Sequence, residues 1–521
     1  MRLYAGILNQ RLVQFTEQHR LRAPTQAGFR PGLSTLHQLF TLQHFVDRAC
    51  HASAPLYCCF LDLEGAFDRV PRSLLWQVLR RLGVHGAMLN AIQSLYGGAT
   101  VAVNIGGRMG VSVPSETGVK QGCPLSPTLF GLFLDGLHRY LVHHCPGVGP
   151  ALHGGLRVPD LAYADDVGLL STAVTGLQRL IDAADTFCTQ VGMRISVQKT
   201  FIMVFGAIVG DVVCTCGGQP LRCAATGKYL GVQLGAMSGV GNACSLLRNK
   251  MLAAWAMLRR QFAGLHCATS LDLMLQVYQT CVPPVASYAC ELWGHRPLPA
   301  PLKADRTGLD QSHALILRRI AGLRRTVPAA ISYVEVGEAS LTRLWWVRLV
   351  RFWNALARLP DTSLHRLVAI DDCRDAVLHK IKNWAHAFMR ELRDLGYAFT
   401  IRCDTMEVVD LGRVKQLLDQ RASQVWQGLD ICPRTCPSPR AQLCTYARWF
   451  ARPAGMPSAR CPARLPVSAG TLRTFLRFRA GCHNLPMTLV AGLVCLGPTA
   501  FVENVMPKLL QMRGILSLSA L

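Results

Sequence analysis

Apolar positions in the first 235 residues recur at two spacings, which predict strands and helices in alternation. The run YCCFLDL at 57–63 is short, apolar and rich in aromatic residues, so we expect a buried strand that ends near Asp62. The run from 128 to about 140 places apolar residues at helical spacing and predicts an apolar helix. Two kinds of periodicity in one region indicate a mixed α and β domain.

The run LAYADDVGLL at 161–170 predicts a tight hairpin whose turn carries Asp165 and Asp166. An amphipathic helix follows it, and RISVQKTFIMVF then supplies a last strand. The resulting order is β-α-β-β-α-β, the split βαβ arrangement, in which the first strand and the hairpin lie side by side at the centre of the sheet. We therefore expect Asp62 to face Asp165 and Asp166.

Three carboxylates at one point of a sheet repel one another and resist ionisation unless a cation lies between them. Oxygen ligands favour Mg²⁺ or Mn²⁺, and a pair of such ions can activate an attacking oxygen and stabilise a leaving one. Extension of a nucleic-acid strand requires this chemistry. A polar hairpin turn without a metal is the alternative interpretation of Asp165 and Asp166, and Asp62 at the end of a separate strand favours the metal site.

Charge and composition narrow the class of partner. The chain has 521 residues, of which 50% are hydrophobic, and 55 Lys and Arg against 31 Asp and Glu give a formal net charge of +24. This excess favours a polyanionic partner, nucleic acid above all, over the alternative that surface arginine only keeps the chain soluble. The 21 cysteines without a secretory signal indicate reduced thiols inside a cell. The uncharged run at 485–502 contains prolines and polar residues, so we predict no membrane span.

Six blocks in order resemble the reverse transcriptase of non-LTR, LINE-type retrotransposons. They are QAGFRPGLST, FLDLEGAFDRVPR, GVKQGCPLSPTLFGLFLDGL, YADDVGLL, GMRISVQKT and KYLGVQL. The resemblance implies an α+β right-hand polymerase with partial fingers at 1–50 and a split βαβ, ferredoxin-like palm at 51–235. A thumb-like helical region would occupy 236–360, and the mainly helical C-terminal region at 361–521 has no role assigned.

The resemblance also implies roles for single residues. Asp62, Asp165 and Asp166 would bind two Mg²⁺ ions, with Mn²⁺ as the alternative ion, and Lys199 would protonate the leaving pyrophosphate. The primer grip would be Tyr229, Leu230 and Gly231, which belong to the KYLGVQL block.

A further group of residues would contact the incoming nucleotide. Arg30 suits bidentate contact with the triphosphate, and the Leu63 carbonyl would be an extra metal ligand. Phe67 would crowd a 2′ hydroxyl and so favour deoxynucleotides, although packing in the core explains this ring equally well. Gln121 and Gly122 would lie along the nucleotide, where glycine allows close backbone approach.

Two departures from the family pattern bear on activity. Ser196 stands where relatives usually carry asparagine, and relatives have more fingers sequence, and commonly an endonuclease, before the position of Met1. We therefore expect a copy truncated at its N-terminus. The alternatives to an active polymerase are an inactive fragment that only binds nucleic acid and a group II intron maturase-like protein. The implied partners are an RNA template, a DNA primer or target and dNTPs. The resemblance also implies a nuclear site of action, but it does not imply an oligomeric state.

Cysteine spacing and an aromatic stripe suggest other sites, which the sequence supports less well. The three cysteines of CTCGGQPLRC at 214–223 lack a fourth ligand, and the complete zinc spacing is also missing at 432–436 and at Cys482 and His483, so we predict free thiols and no zinc. The stripe that includes Trp345 and Trp353 could stack on bases, but its helical spacing favours a core.

Overall fold

A computed structural model describes residues 2–207, 212–236, 239, 243–264, 271–294, 308–325, 327 and 329–430. The described chain forms two compact units. The first unit comprises residues 1–242, 354–387 and 400–408, and the second comprises 243–353, 388–399 and 409–521.

The strands all lie in the first unit. In chain order they are β1 Leu56–Leu61, β2 Thr100–Val101, β3 Asn104–Ile105, β4 Arg108–Met109, β5 Val113–Pro114, β6 Asp160–Tyr163, β7 Asp166–Ser171, β8 Phe201–Phe205, β9 Thr215–Cys216, β10 Gln219–Pro220, β11 Arg222–Cys223, β12 Thr226–Tyr229 and β13 Val232–Gly235.

The helices extend through both units. In chain order they are α1 Arg2–Gln18, α2 Thr35–Ala52, α3 Arg72–Arg81, α4 Gly86–Ser94, α5 Ser126–His144, α6 Val174–Gln190, α7 Ala243–Gly264, α8 Leu271–Cys281, α9 Pro283–Ala286, α10 Cys290–Trp293, α11 Leu309–Ala321, α12 Ala329–Val336, α13 Leu341–Arg358, α14 Leu364–Leu378, α15 Trp384–Asp394 and α16 Leu411–Asp430.

The main sheet of the first unit has the strand order β11-β8-β1-β7-β6. Strand β1 pairs antiparallel with both β7 and β8, and β6 pairs antiparallel with β7. With α5 between β1 and β6, and α6 between β7 and β8, this is the predicted split βαβ arrangement. The α+β fold class is confirmed. Strand β7 of the hairpin lies beside β1 at the centre, whereas β6 ends the sheet.

Alternation along β1 separates the two faces of the sheet. Tyr57, Cys59 and Leu61 belong to a buried core that also contains apolar residues of α5 and α6. Phe60 points to the opposite face, where its ring lies 5.1 Å from that of Phe201. Asp62 is two positions beyond Phe60, so the same alternation directs it to this second face.

The second unit is helical throughout its described part. Its core contains the aromatic stripe of α13, in which Trp345 and Trp353 are only 2% and 1% exposed. Trp345 packs edge-on against Trp293, and Trp353 stacks on Phe388. The core interpretation of this stripe is confirmed. Across the described residues of both units, no helix is long and apolar enough to cross a membrane.

Candidate functional site

Strand register brings Asp62 and Asp166 together. In the β1–β7 ladder Phe60 pairs with Gly168 and Leu61 with Val167, so one further step places Asp62 opposite Asp166. Side chains that are directly opposite in an antiparallel pair have Cβ atoms about 5 Å apart. The buried apolar strand ends at Leu61 because the next residue is an acid that keeps solvent access: the Asp62 side chain is 42% exposed.

Asp165 lies in the two-residue turn between β6 and β7. Tyr163 pairs with Asp166 across the turn, and Ala164 takes a left-handed conformation with φ of 57°. An alanine in this conformation needs support from its surroundings. The support comes from Gln26, whose side-chain oxygen accepts a hydrogen bond from the Ala164 N–H at 2.9 Å and whose amide donates to the Ala164 carbonyl at 3.2 Å.

The segment around Gln26 runs beside the outer edge of the hairpin. The Ala162 N–H donates to the Thr25 carbonyl, and the Ala27 N–H donates to the Ala162 carbonyl. Gln38 of α2 donates to the carbonyls of both Thr25 and Ala162. The backbones approach so closely that a Cβ on Gly28 would lie 2.2 Å from the Ala164 nitrogen. The edge strand is therefore covered, and the turn that carries Asp165 is held from outside the sheet.

Sequence reasoning did not assign Gln26, Gly28 or Gln38 a role at the site. Gln26 and Gly28 lie in the QAGFRPGLST block, and Gln38 is one of several polar residues in α2. Gln38 is fully buried, and a buried glutamine side chain requires hydrogen-bond partners. A glutamine at a core position of a helix is therefore the feature that could have indicated its role.

The electrostatics of the site show the cost of gathering three acids. Burial raises the pKa of Asp166, and the charges of Asp165 and Asp62 raise it further. The nearest described cation is Lys199, whose Nζ lies 3.6 Å from Asp62 Oδ2 and is largely exposed. Among the described residues, clusters of three ligand atoms within 4.8 Å of one another occur elsewhere and not at these three aspartates.

The donor set fits a hard divalent ion. All three side chains offer carboxylate oxygen, and the raised pKa of Asp166 reports negative charge that a cation would relieve. Thiol and imidazole ligands, which favour softer metals, are not among these three. Asp62, Asp165 and Asp166 are therefore the residues that would hold Mg²⁺ or Mn²⁺.

The segment that carries Lys199 is a turn, although the sequence predicted strand from residue 194 on. The Ser196 N–H donates to the Asp62 carbonyl, and the hydroxyl of Thr200 accepts from the Asp62 N–H at 3.2 Å. These bonds hold the turn against the end of β1. They bring Lys199 to the aspartates, as the sequence pattern suggested.

Phe67 packs against other aromatic rings and also keeps partial solvent exposure. Its ring stacks on Phe130 of α5 with centroids 4.3 Å apart, and it meets the ring of Phe29 edge-on at 6.5 Å. The residue is only partly buried, so one part of the ring packs and another part faces solvent. Leu63 is buried in the same turn and bridges to Ile195.

The loop with Gln121 and Gly122 packs against the turn that follows β1. The Val119 N–H donates to the Phe67 carbonyl at 2.9 Å, and the Gln121 amide donates to the Asp68 carboxylate at 3.1 Å. Gly122 has a φ of 73°, a conformation that glycine adopts without strain. The structure thus brings this loop to the Phe67 turn.

Arg30 is fully engaged in hydrogen bonds. Its guanidinium makes a bidentate ion pair with Glu17 of α1 at 2.7 and 2.8 Å and donates to the carbonyls of Ala23 and Gln26 at 3.1 Å. Contact with a triphosphate would require the Glu17 pair to open. The structure shows Arg30 as a residue that holds the Gln26 segment, and its role with nucleotide stays a prediction.

The three proposed primer-grip residues form the tip of the β12–β13 hairpin. Leu230 and Gly231 both have positive φ, 45° and 81°, as a tight two-residue turn requires. Tyr229 packs on the second face of the sheet, with its ring 4.7 Å from that of Phe60. Burial, with the nearby Asp166 carboxylate, raises the pKa of this tyrosine, which therefore stays neutral.

This geometry agrees with the comparison to known protein families. The family described as reverse transcriptase (RNA-dependent DNA polymerase) matches residues 1–234. Residues 1–234 are therefore similar to a reverse transcriptase domain. The resemblance seen in the six sequence blocks is therefore confirmed.

The relatives are named as proteins of retrotransposable or mobile elements. The Pol polyprotein of the R2DM element of Drosophila melanogaster is 32% identical over 179 residues, covering 34% of this chain and 16% of that protein. The corresponding polyprotein of the type-1 element R2 of Popillia japonica is 31% identical over 220 residues, covering 42% and 30%. The RNA-directed DNA polymerase of the mobile element jockey of Drosophila funebris is 26% identical over 378 residues, covering 69% and 39%. The chain spans less than half the length of each of these relatives.

Among solved structures, the apo telomerase of Candida tropicalis aligns with a TM-score of 0.35 and 12% identity. The alignment covers 70% of this chain and 61% of that one.

Proposed function

We propose that this protein is an RNA-directed DNA polymerase of a non-LTR retrotransposon, which extends a primer 3′ hydroxyl with dNTPs on an RNA template. The observation that carries the proposal is the register of β1 and β7, which sets Asp62 opposite Asp166, with Asp165 in the adjacent turn. Two divalent ions, Mg²⁺ or Mn²⁺, would be held by these three carboxylates and would supply charge stabilisation for the reacting phosphate.

The chain's own residues would bind and orient the reactants. Lys199, at 3.6 Å from Asp62, would give a proton to the leaving pyrophosphate. The exposed part of Phe67 would crowd a ribose 2′ hydroxyl, while Gln121 and Gly122 would lie along the nucleotide. Arg30 would reach the triphosphate once its pair with Glu17 opens.

Larger assignments belong to the same proposal. Residues 1–50 would act as partial fingers, 51–235 as the palm and 236–360 as the thumb. The domain would receive an RNA template and a DNA primer or target, and it would act inside the cell, in the nucleus. The net charge of +24 supports polyanionic partners of this kind.

Primer extension tests the proposal. Purified full chain is supplied with a DNA primer annealed to an RNA template, dNTPs and Mg²⁺, and product length is measured. We expect synthesis by the native chain and a loss of at least about 1000-fold in Asp165→Asn, because removal of a carboxylate that stabilises the reacting phosphate costs several kcal/mol.

The matched control is Asp182→Asn, which removes one negative charge from the exposed side of α6. It should extend primers like the native chain, and both variants should bind the primer and template duplex with unchanged affinity. Equal synthesis by Asp165→Asn and the native chain would show that the aspartates are not the catalytic centre. Binding without synthesis by the native chain would identify a protein that only binds nucleic acid.

A further inference from the structure

A second cluster of ionisable residues lies in the first unit, apart from the three aspartates. Its acids come from α14: Asp371, Asp372 and Asp375 are each at most 4% exposed. Its cations come from α2, where His44 Nδ1 lies 2.9 Å from Asp372 and His44 Nε2 lies 3.1 Å from Asp371. Arg48 Nη1 lies 3.1 Å from Asp371 as well. Both nitrogens of His44 are therefore occupied within the protein.

Asp375 differs from the other two acids because its carboxylate pairs with the side chain of His153. Its Oδ1 is 2.8 Å from His153 Nε2, whereas Oδ2 makes no hydrogen bond and has Arg48 Nε at 3.4 Å. His379 comes four residues after Asp375, one helical turn further along the same side of the α14 terminus. Asp375 is buried, but His153 and His379 are exposed.

We propose that His153, Asp375 and His379 form a binding site for a transition-metal ion of the Zn²⁺ type, with water completing the coordination. One ligand atom from each residue lies within 4.8 Å of the other two. Tetrahedral Zn²⁺ with bonds of about 2.0 Å has its ligand atoms about 3.3 Å apart, so binding requires a contraction of at most about 1.5 Å.

Rotation of the exposed His379 ring can bring its ligand atom closer to the other two. The rings of His153 and His379 are stacked, 5.0 Å apart with an interplanar angle of 13°, and in this arrangement they do not both point their nitrogens at one ion. His379 follows the last residue of α14 and is exposed, so its ring turns at little cost. The other two ligands already meet at 2.8 Å, and a metal would replace the proton between them.

The donor set selects the class of ion. Two imidazoles and one carboxylate are typical of Zn²⁺ and related transition metals, whereas Mg²⁺ prefers oxygen alone. The site would therefore be chemically distinct from that of Asp62, Asp165 and Asp166. The ligand atoms of His44, Asp371 and Asp375 also lie within 4.8 Å of one another, but all three residues are buried. Both ring nitrogens of His44 already make hydrogen bonds, so this group is not the proposed metal site.

Neighbouring contacts already hold the ligands in position. The His153 N–H donates to Asp371 Oδ1 at 3.0 Å, and Arg48 donates to the Ala151 carbonyl at 2.8 Å. Such supporting bonds orient metal ligands and raise affinity. The loop that carries His153 leads into β6, so a bound ion would tie α14 to the segment that precedes the catalytic hairpin. The role we infer for the ion is structural, and it does not depend on the proposed polymerase function.

Metal stoichiometry tests the site. The full chain is stripped with EDTA, dialysed, incubated with Zn²⁺ and passed over a desalting column, and bound zinc is measured by atomic emission. The variants are His153→Ala and His379→Ala, and the matched control is His51→Ala, an exposed histidine of α2. All chains have the same cysteines, so differences between them isolate the histidine site.

We expect the native chain and His51→Ala to bind one more Zn²⁺ per chain than His153→Ala or His379→Ala. Zn²⁺ should raise the melting temperature of the native chain and of His51→Ala, but not that of His153→Ala or His379→Ala. With Co²⁺, the additional ion should give visible d–d absorption without thiolate charge-transfer bands. If His379→Ala is poorly folded by circular dichroism, His379→Gln replaces it. Equal zinc content in all variants, or an equal loss in His51→Ala, would overturn the proposal.

Discussion

At the scale of single residues, Asp166 shows a conflict between stability and function. It belongs to a paired strand, yet burial and the charges of Asp165 and Asp62 raise its pKa, so its ionised form opposes folding. An acid whose pKa is higher in the folded state than in the unfolded state lowers stability as pH rises from its ordinary value through the raised one. Such destabilised charges are typical of sites that bind cations.

Asp166→Asn should therefore stabilise the metal-free protein while abolishing primer extension. We expect a gain in unfolding free energy of less than about 1 kcal/mol near pH 7, because solvent screens a group that is partly exposed. The gain should vanish below the ordinary aspartate pKa, where the native carboxyl is protonated as well. Urea titrations at pH 7 and pH 3 without metal measure this effect. A loss of stability at pH 7 would contradict the electrostatic account.

Phe67 gives a second prediction at this scale, which rests on the proposed polymerase activity. Phe67→Ala should raise incorporation of ribonucleotides relative to deoxynucleotides by about 10-fold or more, since the ring would no longer crowd the 2′ hydroxyl. It should also lower stability by about 3 kcal/mol through loss of the stack on Phe130. Phe130→Leu is the control: it weakens the same stack and leaves the Phe67 ring present. Unchanged nucleotide selection in Phe67→Ala would assign this ring to packing alone.

At the scale of elements, the sequence predicted what local periodicity determines. The strand before Asp62, the α5 and α6 helices and the hairpin turn at Asp165 were all visible because each needs only its own residues. Asp166 was predicted in that turn, but it is the first residue of β7 and pairs with Tyr163. The sequence predicted a strand from residue 194, but the strand begins only at Phe201. Long-range hydrogen bonds with Asp62 hold residues 196–200 as a turn. The bridging role of Gln26 and the pairing of α14 with α2 depend on contacts across more than 100 residues, which periodicity does not encode.

Gly28→Ala tests how the Gln26 segment supports the hairpin. Its Cβ would lie 2.2 Å from the Ala164 backbone nitrogen, and backbone cannot move aside as a side chain does. We expect a loss of about 3 kcal/mol or more in unfolding free energy and a matching fall in primer extension. Gly6→Ala in α1 is the control, because nothing lies within 4 Å and alanine favours a helix. Equal stability of the two variants would mean that this close approach is not required.

The pairing of α2 with α14 should make stability depend on pH. Burial lowers the pKa of His44, but hydrogen bonds to Asp371 and Asp372 and their charges outweigh it and raise the pKa to about 9. The stabilisation is therefore complete below about pH 6.5 and is lost as pH rises through about 9. His44→Gln should cost about 3 kcal/mol at pH 6 because it removes the positive charge between two buried carboxylates, and less at pH 10. Chemical denaturation at both pH values measures the difference, which a pH-independent cost would contradict.

At the scale of the whole molecule, the net charge of +24 implies that the proposed affinity for nucleic acid would come largely from phosphate contacts. Helix α7 is the element to test, because Arg259 and Arg260 are exposed on it and it lies within the proposed thumb at 236–360. Replacing both with alanine should reduce the slope of log affinity against log salt by up to about 2, since each phosphate contact releases about one counterion. Gln261→Ala on the same helix should leave the slope unchanged. If the double variant also retains the native slope, the phosphate contacts lie on other basic residues, and α7 does not serve as the thumb's duplex-binding surface.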